Sequence, residues 1–166
     1  LLTEHAKVLF LLESVGEIVG RKKLQKMVYI TQKLNFDFNQ RFQFHFYGPY
    51  SEELTVMTEE LCELGLIEEH QQDKGNYSVY QYAITEKGRD FLHHVHVNLG
   101  NILPIASKLN DSSSRFLELL STVFYFEQLS REEVEEKIFT LKAKQNYSHG
   151  EINEAYRWLQ ELRQSC

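Results

Sequence analysis

The stretch FHFYGPYSEEL, residues 44 to 54, sets alternating aromatics against a Gly-Pro step and then an acidic segment. Read with the three residues before it, the run places Phe42, Phe44 and Phe46 on one side and Gln43, His45 and Tyr47 on the other, which is the period of a β-strand built from high-propensity residues. Gly48-Pro49 should stop that strand. Pro49 has no amide hydrogen to offer a ladder and restricts the residue before it, while Gly48 tolerates backbone angles closed to other residues. Ser51 then has the chemistry of an N-cap, and Glu52 and Glu53 fall in the first helical turn, where carboxylates complement the dipole. Leu54, Met57, Leu61 and Leu64 give that helix its apolar stripe, and Gly65 ends it. In this reading the helix packs on a core with its glutamates outward.

Working upstream, residues 4 to 19 space Val8, Leu11, Leu12, Val15, Ile18 and Val19 as one helix face, with Glu4, His5 and Lys7 outward and Gly16 and Gly20 bracketing a frayed end. In RKKLQKMVYITQKL, Leu24, Met27, Val28, Thr31 and Leu34 share one side of a second helix. Lys22, Lys26, Tyr29 and Lys33 fall together on the other, as a basic stripe. Downstream, residues 66 to 71 and 77 to 84 are short strand-like runs around the turn cluster Asp73-Lys74-Gly75-Asn76, and Thr85 caps a helix that begins EKGRDFL. Helix, helix, strand, helix and hairpin in this order are the parts of a winged helix.

Past residue 93 the pattern is helical. Ser130 with Glu133 and Ser148 with Glu151 are capping-box pairs, and the polar run from Leu109 to Ser114 is the best boundary in this half. The segment from Arg115 to Gln128 is apolar nearly all round, so it should be central in a small bundle or lie at a dimer contact. The fold class expected is therefore α+β, mainly helical. A winged-helix-like part with a small three-stranded sheet spans residues 1-92, and a C-terminal helical subdomain spans 93-166.

The composition, 42% hydrophobic and 25% charged over 166 residues, is that of a folded globular chain. No apolar run is long enough to span a bilayer, and the N-terminal LLTEHAKVLFLL lacks the basic region and cleavage site of a signal peptide. A cytoplasmic location is expected, and Cys62 and Cys166 form no CxxC pair that would argue otherwise. Charge is uneven within the total of -6. Residues 1 to 48 carry a net +3 and residues 49 to 166 a net -9, so a polyanion would meet only the first third of the chain favourably.

Little of the chain suggests catalysis. His93, His94 and His96 follow a helix pattern with no carboxylate or Cys at supporting spacing, so neither a metal nor any other cofactor is expected. Neither Cys62 nor any Ser lies in a nucleophile motif, and no glycine-rich phosphate loop occurs. The basic stripe, with Tyr29 between its lysines, is the most function-like constellation; it reads either as a binding surface or as a solvated face. The helix after Ser51 weighs against groove reading. It carries Glu52, Glu53, Glu59, Glu60 and Glu63 and no Lys or Arg, whereas a major-groove helix needs cations and amides.

Three segments carry a resemblance: KLQKMVYITQKL (23 to 34), FYGPYSEEL (46 to 54) and YAITEKGRDFL (82 to 92). Over nearly the whole chain the sequence resembles the YwgA-like family of small bacterial proteins. Over about the first 92 residues it is more distantly similar to the SocA-like antitoxin, or Panacea, domain. There Lys23, Leu24, Gln25, Lys26 and Tyr29 match the helix motif and Tyr47, Gly48 and Pro49 match the turn. The first resemblance implies a bacterial cytoplasmic protein; the second implies recognition of partner proteins. The chain departs from the Panacea pattern after Pro49, where Tyr50-Ser51-Glu52-Glu53 replaces small apolar residues. The ITEKGRDFL segment is also similar to the end of the wing in winged-helix regulators.

The expectation is a non-enzymatic regulatory module that engages a partner protein through Lys22, Lys26, Tyr29, Lys33 and the Tyr47-Gly48-Pro49 turn. The alternative is a DNA-binding regulator using Lys22, Lys23, Lys26 and Lys33 of the basic helix and Lys74 of the wing, dimeric through residues 115-164.

Overall fold

A computed structural model of the chain describes residues 2–166. The fold is α+β and mainly helical: the described residues form eight α-helices, a three-stranded antiparallel sheet and a separate two-stranded ribbon. Helix α1 (Thr3–Val15) ends at Gly16, whose φ of 88° favours glycine, and the chain passes into β1 (Glu17–Val19). This corrects the expectation of a helix through residue 19. Ile18 and Val19 keep a helical spacing, but glycines with positive φ at 16 and 20 isolate three residues, which pair with a later strand. Lys7 is also corrected from outward to buried, its ammonium meeting Glu4 at 2.9 Å and Asp37 at 3.4 Å.

Helix α2 (Arg21–Lys33) buries the expected Leu24, Met27, Val28, Thr31 and Leu34, but Gln25, Lys26, Tyr29 and Ile30 are buried with them. It is a central helix, covered on nearly every side. The aromatic run forms only β2 (Gln43–His45), which pairs with β3 (Gly48–Tyr50) in register Phe44↔Pro49 and His45↔Gly48. The Gly-Pro step therefore does not stop the strand; it lies in the return strand, and Phe46 and Tyr47 make the turn. Pro49 is tolerated because this ribbon has only two strands, so each has an edge that needs no donor. Phe42 and Phe44 are partly buried against Tyr29, Tyr125 and Phe126, whereas Phe46 is exposed.

Helix α3 (Glu52–Glu63) is capped by the Ser51 hydroxyl, which accepts from the Leu54 amide. Leu54, Thr58 and Leu61 face inward, Glu52, Glu53, Glu59, Glu60 and Glu63 face solvent, and Leu64, expected in the buried stripe, is exposed. Strands β4 (Ile67–Asp73) and β5 (Ser78–Ile84) form the expected hairpin, and the sheet order is β1-β5-β4. Thr85 caps α4 (Glu86–His94). This helix packs so tightly against the chain entering β4 that a Cβ at Gly88 would lie 2.1 Å from the Leu66 carbonyl oxygen.

Helices α5 (Leu103–Asn110), α6 (Ser114–Tyr125), α7 (Arg131–Leu141) and α8 (His149–Gln164) follow. Both capping boxes are present, at Ser130 with Glu133 and at Ser148 with Glu151. Helix α6 is buried without a break from Leu117 to Phe124, because α2 packs on one side of it and α8 on another. The buried apolar residues form one cluster from Ala6 in α1 to Leu162 in α8.

Candidate functional site

The site is built from α2 upward. Two glutamines two turns apart on this helix, Gln25 and Gln32, each clamp a backbone amide from both sides. Gln25 donates to the Ser51 carbonyl and accepts from the Ser51 amide, both at 2.9 Å, which fixes the start of α3. Gln32 does the same for Gln40 at 2.9 and 2.8 Å, fixing the chain that leads into the β2–β3 ribbon. A primary amide is the side chain that satisfies a peptide N–H and C=O together, so glutamine here stands in for a strand partner.

Beneath the ribbon lies a buried charge cluster. Lys26 donates to the Pro49 carbonyl at 2.7 Å, and Lys142, at the end of α7, donates to the Phe46 carbonyl at 2.7 Å. Glu118 of α6, itself buried, takes Lys22 at 3.1 Å and Lys142 at 3.3 Å, and the Lys22 ammonium also sits 4.5 Å over the Tyr47 ring. Three lysines thus surround one carboxylate and hold the Phe46–Pro49 turn down on α2 and α6. Gly48 is required: its φ is 93°, and a Cβ there would come within 3.3 Å of the Lys26 Nζ and 3.5 Å of the Thr122 hydroxyl. Burial pushes Lys26 down to about 7, with Lys142 and Lys22 adding to the effect and Glu118 opposing it. Burial also lowers Lys142, against the pull of Glu118.

A cleft of about 610 Å³ opens beside this cluster, between α2, the ribbon and α3. Arg21, Lys22, Gln25 and Lys26 form its α2 wall; Thr55, Thr58, Glu59, Cys62 and Glu63 form its α3 wall. His45, Phe46, Tyr47 and Tyr50 border the ribbon end, and Glu69 and Tyr82 close the sheet end. There Arg21 lies 3.8 Å over the Tyr80 ring and within 3.4 Å of Glu69, which also accepts the Tyr82 hydroxyl. The Cys62 thiol is pushed up, by burial first and then by Glu69. At the mouth, Phe46 and Tyr47 stack edge to face and are 62% and 55% exposed.

The basic stripe expected on α2 is not a surface. Lys26 is 1% exposed and Tyr29 5%, because the ribbon covers one and Phe42 and Tyr125 cover the other. Lys22 is taken by Glu118, Lys33 by Glu127 at 3.3 Å, and Lys23 by the Asn110 carbonyl at 2.9 Å. Tyr47 is exposed, Gly48 and Pro49 are buried beneath it, and Lys74 is exposed at the β4–β5 turn and does not line the cleft. The structure therefore brings together Lys22, Lys26, Tyr47, Gly48 and Pro49, and leaves Tyr29, Lys33 and Lys74 elsewhere. Sequence reading missed Glu118, Lys142 and Gln25 as partners of the turn. Glu118 did carry a signal, as a lone carboxylate inside an apolar helix; Lys142 carried none. No group of three or more His, Cys, Asp or Glu side chains placed to hold a metal occurs among the described residues.

No family model matches the chain. Over its whole length, however, it is 49% identical to a Bacillus subtilis (strain 168) protein described as "Uncharacterized protein YwgA", and the alignment covers 100% of both. The chain belongs to the YwgA family. In this YwgA-family fold no helix of the described residues is long and apolar enough to cross a membrane. At the lysine-held turn and the cleft beside it, buried charge, a cavity and exposed aromatics meet.

Proposed function

We propose that this YwgA-family chain is a non-catalytic, winged-helix-like regulatory module that binds a partner protein in the manner of an antitoxin or adaptor. The winged-helix reading is supported by the path α1, β1, α2, α3, β4, β5 with strand order β1-β5-β4, into which the β2–β3 ribbon is inserted between the second and third helices. Helices α5 to α8 then read as a small bundle packed against α1 and α2.

The observation that carries the partner reading is the pair Phe46 and Tyr47. Two adjacent large aromatics are exposed at the tip of a ribbon whose backbone is held from below by two lysines. Rigid exposed aromatics of this kind are what protein interfaces use as anchors, because they bury much area at little entropic cost. A flexible loop would lose much of that advantage on ordering. The surface has moved from the α2 stripe to the ribbon tip, since Lys26 and Tyr29 are inside.

DNA binding is the alternative, with exposed Lys74 at the β4–β5 turn in its favour. Against it, α3 presents five exposed glutamates where a reading helix presents cations, and Lys22, Lys23, Lys26 and Lys33 are occupied within the chain. Affinity capture from extracts of the producing cells, with wild type beside Phe46→Ala/Tyr47→Ala, tests the reading. A partner retained by the wild type and lost by the double variant is expected. Salt-sensitive, sequence-preferring gel shifts at physiological ionic strength, unaffected by the double variant, would overturn it in favour of DNA.

A further inference from the structure

The cleft and the charge cluster beneath it have a chemistry that partner binding at the ribbon tip does not use. Lys22, Lys26 and Lys142 converge under the ribbon, and Glu118 is the carboxylate they share. Glu118 pairs directly with Lys22 and Lys142; among the described residues Lys26, 1% exposed, has no carboxylate within salt-bridge distance and only the Pro49 carbonyl as acceptor. The cluster thus sets three lysines, two of them buried, around one carboxylate, an arrangement that folding alone does not favour.

Lys22 and Lys26 both line the cleft, and the surface around them at that end carries no acidic group: Leu24, Gln25, His45, Tyr47, Tyr50 and Thr55. The acidic groups that face the cavity lie along α3 and at the sheet end. Glu69 is engaged by Arg21 and Tyr82, and Glu59 and Glu63 are exposed to solvent. A volume of about 610 Å³ is the size of a small-molecule site and well beyond that of a structural water or single ion.

We propose that this cleft binds a small organic oxyanion, a carboxylate or phosphate monoester on an aromatic or apolar body, with its charged end at Lys22 and Lys26 and its body between Tyr47, Tyr50 and the α3 wall. The ligand supplies the negative charge that the cluster lacks, and the tyrosines enclose its apolar part. Burial destabilises the Lys26 ammonium, and a bound anion offsets that cost. The proposal does not rest on partner binding: Tyr47 belongs to both surfaces, but the charged end of the ligand lies at Lys22 and Lys26, which the partner reading does not use.

Titration of the full chain with phenylacetate, phenyl phosphate, inorganic phosphate and 2-phenylethylamine, followed by amide NMR and thermal melting, tests it. Expected are saturable shifts confined to Lys22, Gln25, Lys26, Tyr47, Tyr50 and Thr55, and a raised melting temperature, with at least one of the two aromatic anions. Whichever of the two binds more tightly identifies the headgroup as carboxylate or phosphate. Lys26→Met should weaken that binding at least about tenfold, as expected for loss of a charged hydrogen-bond donor. Lys22→Met, at a partly exposed position and with Glu118 still paired to Lys142, should do the same and serves as the second variant should the first fail to fold. Lys33→Met, on the same helix outside the cleft, should leave it unchanged. Absence of saturable shifts with both aromatic anions, equal binding of 2-phenylethylamine, or undiminished binding in the Lys22 variant would overturn the proposal. Inorganic phosphate binding as tightly as phenyl phosphate would overturn the part assigned to the aromatic walls.

Discussion

Lys26 is the residue at which sequence pattern and environment disagree most. Its spacing puts it on the polar side of α2, yet its ammonium is enclosed and hydrogen-bonded to the Pro49 carbonyl. Such a group has a defined pH signature. In the unfolded chain Lys26 keeps its proton to near 10.5; in the folded chain it is lowered to about 7. Between those values the unfolded state binds more protons, so stability rises with pH from about 7 towards 10 and gains nothing from this group below 7. Burial lowers Lys23 and Lys142 as well, which adds slope in the same direction. The expected outcome is a melting temperature that increases over this window in the wild type and increases less in Lys26→Met, the difference corresponding to on the order of 4 kcal/mol. At pH 7 the variant should still be the less stable by about 1–3 kcal/mol, because the Pro49 carbonyl loses its donor. Parallel melts of the two proteins from pH 6 to 10, read by circular dichroism, check both signs, and parallel curves would show that Lys26 is not the titrating group.

At the scale of elements, local chemistry decides the helix starts and long-range pairing decides the strands. Ser51, Thr85, Ser130 and Ser148 each cap the helix that the sequence assigns to them, since a cap depends on residues within three or four positions. Ser148 carries the most, because Glu151 completes its capping box and also holds Arg115 of α6 with two hydrogen bonds at 2.9 and 3.0 Å. Ser148→Ala should cost about 1 kcal/mol, seen as a melting temperature lower by roughly 2–4 °C for a chain of this size. The Arg115 guanidinium and the Ser148 amide hold Glu151 down to about 2, so its contribution is present above its ordinary value of 4.5 and is lost as pH falls towards 2. Being partly exposed, this pair contributes modestly, and Glu151→Gln should shorten the acid limb of the stability profile without moving the alkaline one. Strand β1 was not legible in the same way. Glu17–Val19 continues the helical spacing of α1, and only pairing with Ala83, Tyr82 and Gln81, more than sixty positions away, makes it a strand. The turn shows both sides of this. Gly48-Pro49 pointed to a reversal close by, but the turn falls at Phe46 and Tyr47 and Gly48-Pro49 pair in the return strand, held by lysines from α2 and α7 that local pattern cannot supply.

For the whole molecule, the question is whether residues 1-92 and 93-166 are separable. Nearly half of the buried apolar residues come from the second segment, and they complete the same cluster as those of the first. Helix α5 covers α1, and α6 covers α2, so a cut after α4 would bare the apolar faces of both N-terminal helices. It would also remove the polar ties across the cut. Lys22 would lose Glu118, the Phe46 carbonyl would lose Lys142, and the Lys33 carbonyl would lose Arg163, which donates to it at 2.6 Å. Lys26 would lose the one carboxylate that opposes its desolvation. Exposing that much apolar surface removes the main favourable term in folding. The two segments are therefore expected to fold as one cooperative unit. A fragment of residues 1–92 should give poorly dispersed amide resonances and bind a hydrophobic dye, while the full chain should unfold in one transition with coincident fluorescence and circular-dichroism midpoints. A well-dispersed fragment spectrum overlaying that of the intact protein would instead make the C-terminal helices an appendage, and the lysine-held turn would then have to keep its shape without Glu118 or Lys142.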